Sequence, residues 1–220
     1  MKIKIKVVGL LLMSSVLSSF VLADDGHSTD MLVNTCVACH GEGGNSVGPA
    51  IPNIAGVSPN YFMAAMLAYK YDDDEDQLEL VIEEDPDFED VEAFPRFSTI
   101  MGRIAKGYSE DEIKQMAEYF SAQELILPRQ AFDTLAAEKG KKLHNKHCDK
   151  CHENEGRSAE DDTGVLAGQW IPYFMYTMTD FRDKHRDMPK KMKKEVEDIE
   201  EDVGDEGFQQ LADYYASIQD

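Results

Sequence analysis

Long hydrophobic runs are all but absent from the 220-residue chain. The exception is Val7 to Leu22, which follows a basic start of Lys2, Lys4 and Lys6 and leads to Val21 and Ala23, spaced as the small residues of a cleavage site. That layout is a secretory signal peptide, and its apolar part is short for a membrane span of about 20 residues. The expectation is a mature chain starting near Asp24, cleaved near Ala23, periplasmic and without membrane insertion. Positive charge is scarce too, with 22 Lys and Arg against 43 Asp and Glu. Removing the three leader lysines takes the formal charge from −21 to −24, a sign that excludes binding to nucleic-acid phosphates. Strand-like alternation is lacking. No dinucleotide fingerprint occurs either, because Gly41-Glu42-Gly43-Gly44 follows a cysteine pair rather than a strand. Cysteine is limited to four residues, all in two CxxC pairs, so none is spare.

What the chain does contain is a repeat. Adding 112 to a position in the first half lands on a related residue in the second: Cys36, Cys39 and His40 on Cys148, Cys151 and His152, Gly44 on Gly156, Ile54-Ala55-Gly56 on Leu166-Ala167-Gly168, and Tyr61-Phe62-Met63 on Tyr173-Phe174-Met175. A register held without a gap marks two copies of one module. It fails at Tyr71, where the first copy carries acidic runs at Asp72 to Asp76 and Glu83 to Asp87. Residues 71–92 read as an inserted surface loop, able to steer a basic partner through its charge. The domains expected are 24–126 and 127–220, after the leader at 1–23.

The remaining pattern is helical. Ser58-Pro59 supplies an N-cap and N1 proline for a helix through Lys70. Ser109 and Glu112 form a capping box, followed by Ile113, Met116, Ala117 and Phe120 on one face. Further helices are expected from Gln130 to His147 and from Glu206 to Ile218. Each module has under 100 residues and buries too little apolar surface to be stable alone. A large apolar group in each core would remedy that.

Both cysteine pairs are followed by histidine, giving CxxCH at 36–40 and 148–152, the attachment pattern of haem c. Cysteines three apart lie on one side of a helical turn, where their sulfurs bond one macrocycle, and the adjacent histidine supplies the proximal imidazole. A redox disulfide, which usually sits on a βαβ scaffold, a zinc site and plain disulfides all explain the duplicated histidine less well. Two covalent haem c groups are therefore expected. The sixth ligand stays open on spacing: Met63, Met66 and Met101 are available in the first module, Met188 and Met192 in the second. Met63 and Met66 lie on a helix, where methionine is more often packing. His27, His144, His147 and His185 are taken as single surface histidines.

The segments CVACHGEGGNSVGPAIPNIAG, YFMAAMLAYK and STIMGRIAKGYSEDEIKQMAEYF, with CDKCHENEGRS, LAGQW and FRDKHRDMPKKM in the second half, resemble the dihaem cytochrome subunit of flavocytochrome c sulfide dehydrogenase. More distantly they are similar to cytochrome c4. The resemblance implies an all-α fold of two tandem class I cytochrome c-like domains related by a pseudo-twofold. It implies Met101 and Met192 as axial ligands, with Met188 as the alternative to Met192. It also implies a flavoprotein partner that alone carries FAD and performs the dehydrogenase chemistry, leaving this chain to transfer electrons without catalysis of its own. The alternative is a free-standing carrier like cytochrome c4, serving a terminal oxidase or a soluble redox partner. Pro49 and Pro52 become Asp161 and Gly164 at the offset of 112. The backbone contact to His152 is therefore expected to differ from that to His40, leaving the two potentials unequal.

Overall fold

The computed structural model describes residues 28–88 and 90–219. The signal peptide expected at 1–23, its cleavage site and His27 lie outside them. No helix among the described residues is long and apolar enough to cross a membrane.

Caps set most of the helices. Helix α1 (Thr29–His40) opens at Ser28. Helix α2 (Pro59–Lys70) opens where Ser58 Oγ accepts the Tyr61 N–H at 3.0 Å and Pro59 pre-sets the first turn. The capping box of Ser109 and Glu112 starts α5 (Glu110–Ser121), and all four expected apolar residues on its face are buried. Before it stands the short α4 (Met101–Ala105). In the second module α6 (Thr134–Leu143) begins later than Gln130, because Asp133 caps it, and a π-helical turn continues it over His144–Cys148. A tight turn, α7 (Glu153–Gly156), precedes α8 (Ile171–Arg182), α9 (Lys190–Asp202) and α10 (Asp205–Ser217). Helix α10 lies along α6. They approach so closely at Gly140 that a Cβ there would sit 1.9 Å from the Gln210 carbonyl oxygen.

The insertion departs from expectation. It is not a surface loop: it contains α3 (Glu75–Glu84), capped by Asp74, and buries Leu78, Phe88 and Val91 in the first core. The apolar residues Leu78, Val81 and Ile82 recur at helical spacing inside the acidic run, which gives α3 a face to bury. Lysines outside the insertion then hold its acids. Lys106 lies 2.7 Å from Asp72 and 2.9 Å from Asp73, and Lys114 lies 2.6 Å from Asp85 and 2.9 Å from Asp87. Phe88→Ala should accordingly cost about 3–5 kcal/mol in a denaturant titration of the haem-loaded protein. A loss of less than about 0.5 kcal/mol, as for a surface position, would return the segment to a loop.

The two cores meet reciprocally. The start of α2 touches the 162–164 stretch of the second module, with Asn60 Nδ2 donating to Asp162 Oδ2 at 3.0 Å. The start of α8 touches the first module, with the Tyr173 N–H donating to the Pro49 carbonyl at 3.1 Å. Between these contacts lies a buried pair: the Asn53 N–H donates to Gln169 Oε1 at 3.0 Å, and Gln169 Nε2 donates back to the Asn53 carbonyl at 2.9 Å. Among the described residues the only β pairing is one antiparallel bridge, Arg96 with Arg186, and it also joins the modules.

Candidate haem site

The first CxxCH ends α1, with Cys36, Cys39 and His40 on its last turn. In the second, Cys148 closes the π-helical turn, and Cys151 and His152 lead into α7. All four sulfurs are free; Cys36 and Cys148 are half-buried, while Cys39 and Cys151 are exposed. Burial pushes the Cys36 thiol up, and it pushes the Cys148 thiol up to about 11. A redox CxxC needs a lowered thiol. These environments do the opposite.

Both histidines are held in the same way. His40 Nδ1 lies 3.0 Å from the Pro52 carbonyl oxygen, and His152 Nδ1 lies 3.0 Å from that of Gly164. With Nδ1–H donating to the carbonyl, Nε2 keeps its lone pair for a metal. Burial lowers both imidazoles, outweighing these bonds, and so favours the neutral form that ligation requires. The expected difference between the two contacts is thus corrected. A backbone carbonyl accepts regardless of its side chain, so Gly164 serves as well as Pro52. Glycine also leaves room for the other module: a Cβ on Gly164 would lie 2.9 Å from Tyr61 Oη and displace that phenol.

Six of the eight site residues expected from sequence converge. Cys36, Cys39, His40 and Met101 line one cavity of about 450 Å³ together with His152 and Met192. Cys148 packs on the second core instead, and Cys151 is exposed at the surface. The methionines separate at the cavity: Met188 and Met192 both pack on the second core, but only Met192 also lines the cavity, while Met63 is buried in the first core away from it. Met66 and its repeat partner Met178 are buried and also face the cavity. Imidazole and thioether donors in an apolar space suit a haem iron, and the free sulfur pairs suit its covalent attachment. The residues present fit haem c.

Two of the histidines assigned to the surface are buried. His144 is fully buried with Nδ1 3.0 Å from Tyr215 Oη, and the His147 side chain is 4% exposed with Nδ1 2.8 Å from Glu195 Oε2. They stand on the faces of α6 and its π-turn that α10 and α9 cover. Neither lines the cavity.

Sequence reading missed Arg96 and Arg186, which do line it. Arg96 donates to Tyr173 Oη at 3.1 Å and stacks 4.7 Å from the Tyr69 ring centre; Arg186 stacks 4.4 Å from that of Phe181. Burial alone would raise the Tyr173 phenol, but the two guanidiniums bring it down to about 8. The signal was available: the arginines are 90 residues apart, 22 fewer than the haem motifs, which is the length of the insertion.

Residues 30–123 match the cytochrome c family. Over 91 residues the chain is 36% identical to the cytochrome subunit of sulfide dehydrogenase from Chlorobaculum tepidum, covering 41% of this chain and 62% of that one. It is 25% identical to cytochrome c-552 of Acidithiobacillus ferridurans over 186 residues, 80% of this chain and 73% of the relative. The solved structure of reduced recombinant cytochrome c4 from Pseudomonas stutzeri superposes with a TM-score of 0.65 at 22% identity, over 86% of this chain and 96% of that one. A likeness of that kind establishes the fold over the matched part of the chain, two tandem class I cytochrome c domains. The protein therefore carries a cytochrome c family domain at residues 30–123, set within the two-domain architecture of cytochrome c4.

Proposed function

We propose that the chain is an exported, periplasmic electron carrier with two covalent haem c groups, acting as the cytochrome subunit that takes electrons from a flavoprotein sulfide dehydrogenase. The carrying observation is the pair of carbonyl-anchored histidines, one from each module, facing a single apolar cavity beside free CxxC sulfurs. Cys36 and Cys39 attach the first haem and Cys148 and Cys151 the second, with one attachment site in each of domains 24–126 and 127–220. His40 and His152 are the proximal ligands. Met101 and Met192 are the sixth ligands, and the position of Met192 on the cavity wall favours it over Met188. When bound, haem c supplies a one-electron couple. The imidazoles and thioethers of these residues would be its donors, and a haem so ligated would leave no free coordination position and hence no catalysis on this chain.

The likeness to the sulfide dehydrogenase subunit supports the flavoprotein partner, which would carry the FAD. The fold match to cytochrome c4, which spans both modules, favours a second reading, a carrier to a terminal oxidase without a stable partner. Purification from the native source separates them. Co-elution with a flavin-bearing chain is the expected result, and a monomer free of flavin on gel filtration would establish the second reading instead.

A further inference from the structure

Outside the cavity, one cluster of side chains has the composition of a metal site. A ring nitrogen of His147 and one carboxylate oxygen each from Glu195 and Asp198 lie within 4.8 Å of one another, the only such trio among the described residues. Glu195 and Asp198 stand three apart on α9 and so share a face of it. His147 comes from the π-helical turn that ends at Cys148, against which α9 packs. Two helical elements thus fix the donors.

The imidazole is an independent sign of a ligand. Its side chain is only 4% exposed, with Nδ1 2.8 Å from Glu195 Oε2. Nε2 is buried and has no hydrogen-bond partner among the described residues. A buried polar atom left unpaired is costly. A proton on Nδ1 serves Glu195 but leaves the Nε2 lone pair bare. A proton on Nε2 is itself unpaired and turns the Nδ1 lone pair toward a carboxylate. A doubly protonated ring still strands the Nε2–H. No protonation state pairs both nitrogens, whereas a metal ion takes a ring lone pair in place of a proton.

The feature is confined to one copy of the repeat. Thr35 stands at the position equivalent to His147 and bonds Tyr108 Oη at 2.5 Å. The cluster is therefore no part of the duplicated CxxCH pattern. It is also open to ions from solvent, since the Glu195 and Asp198 side chains are 41% and 39% exposed. Asp198 holds Lys194 through one oxygen, a surface pair that is easily released.

We propose that His147, Glu195 and Asp198 bind one divalent ion of the zinc class, with water completing its shell. One imidazole and two carboxylates make a three-donor set that zinc accepts. The nitrogen selects such an ion over calcium and magnesium, which take oxygen. Zinc donors stand about 2 Å from the ion, so the carboxylates draw inward on binding, as their exposure allows. The bound ion ties α9, which carries Met192, to the turn that leads into Cys148.

The test is calorimetric titration of zinc into the full-length, haem-loaded protein. The expected result is one ion bound per chain, unmoved by a large excess of calcium, with affinity at least about tenfold lower in H147Q and in D198N. H185Q, which removes an exposed imidazole outside the cluster, should bind as the wild type does. Absence of saturable binding would overturn the site. Displacement by calcium would do so by assigning the binding to acidic surface at large. Unchanged affinity in H147Q and D198N, or a loss in H185Q as large as in D198N, would place the ion elsewhere and overturn it too. If H147Q does not fold, because that ring is buried, D198N at its half-exposed position gives the same decision.

Discussion

Replacing Cys36, Cys39, Cys148 and Cys151 together by alanine is expected to give a chain without cooperative tertiary structure. The reason is the size of what would be left empty. The cavity measures about 450 Å³ and is shared by both cores. Without the cofactor its apolar lining loses the group it packs against and is left facing water. Whole domains are stable by only about 5–15 kcal/mol. The alanine chain should therefore retain helical far-ultraviolet circular dichroism but lose its near-ultraviolet signal and its sharp melt. A calorimetric transition as sharp as that of the haem-loaded protein would contradict a core built around the cofactor. Restoring one CxxC pair should bring back one haem by intact mass, and order in one module.

The second large effect concerns the sixth ligands. Thioether sulfur raises the potential of a haem relative to harder donors. Met101→Ala should lower one of the two potentials by on the order of 0.1 V, a fraction of the roughly 0.8 V range that axial ligation spans. Met192→Ala should do the same to the other. Met188→Ala should leave both in place, because that side chain, unlike Met192, does not line the cavity. A fall in Met188→Ala with none in Met192→Ala would exchange their roles. Here the readout falls on one half of the titration.

The parts legible in sequence were those written in local chemistry. Ser58-Pro59 and the Ser109–Glu112 box place two helices because a cap is a short-range hydrogen bond. The repeat places the cysteines and histidines because covalent attachment fixes their spacing. The insertion was misread because its thirteen acidic residues obscure the apolar face of Leu78, Val81 and Ile82, and burial follows the face of a helix rather than the average of its charges. The fate of His144 and His147 depends on α10 and α9, which arrive from distant sequence. The contact to His152 was misjudged for a related reason: carbonyl acceptors are carried by every residue, so a change of side chain says little about them. Arg96 and Arg186 were legible only after the insertion is subtracted from the repeat.

The clasp between Asn53 and Gln169 also bears on how the protein would come apart under a protease. The connection from α5 to α6 is itself bonded to both modules, through the Ile126 N–H to Asn45 and through Gln130 to Gln169 and Gln219. A single cut there would yield two bands on a denaturing gel from a particle that still sediments as one. Duplication has produced halves that no longer separate, and each completes a surface the other would leave bare.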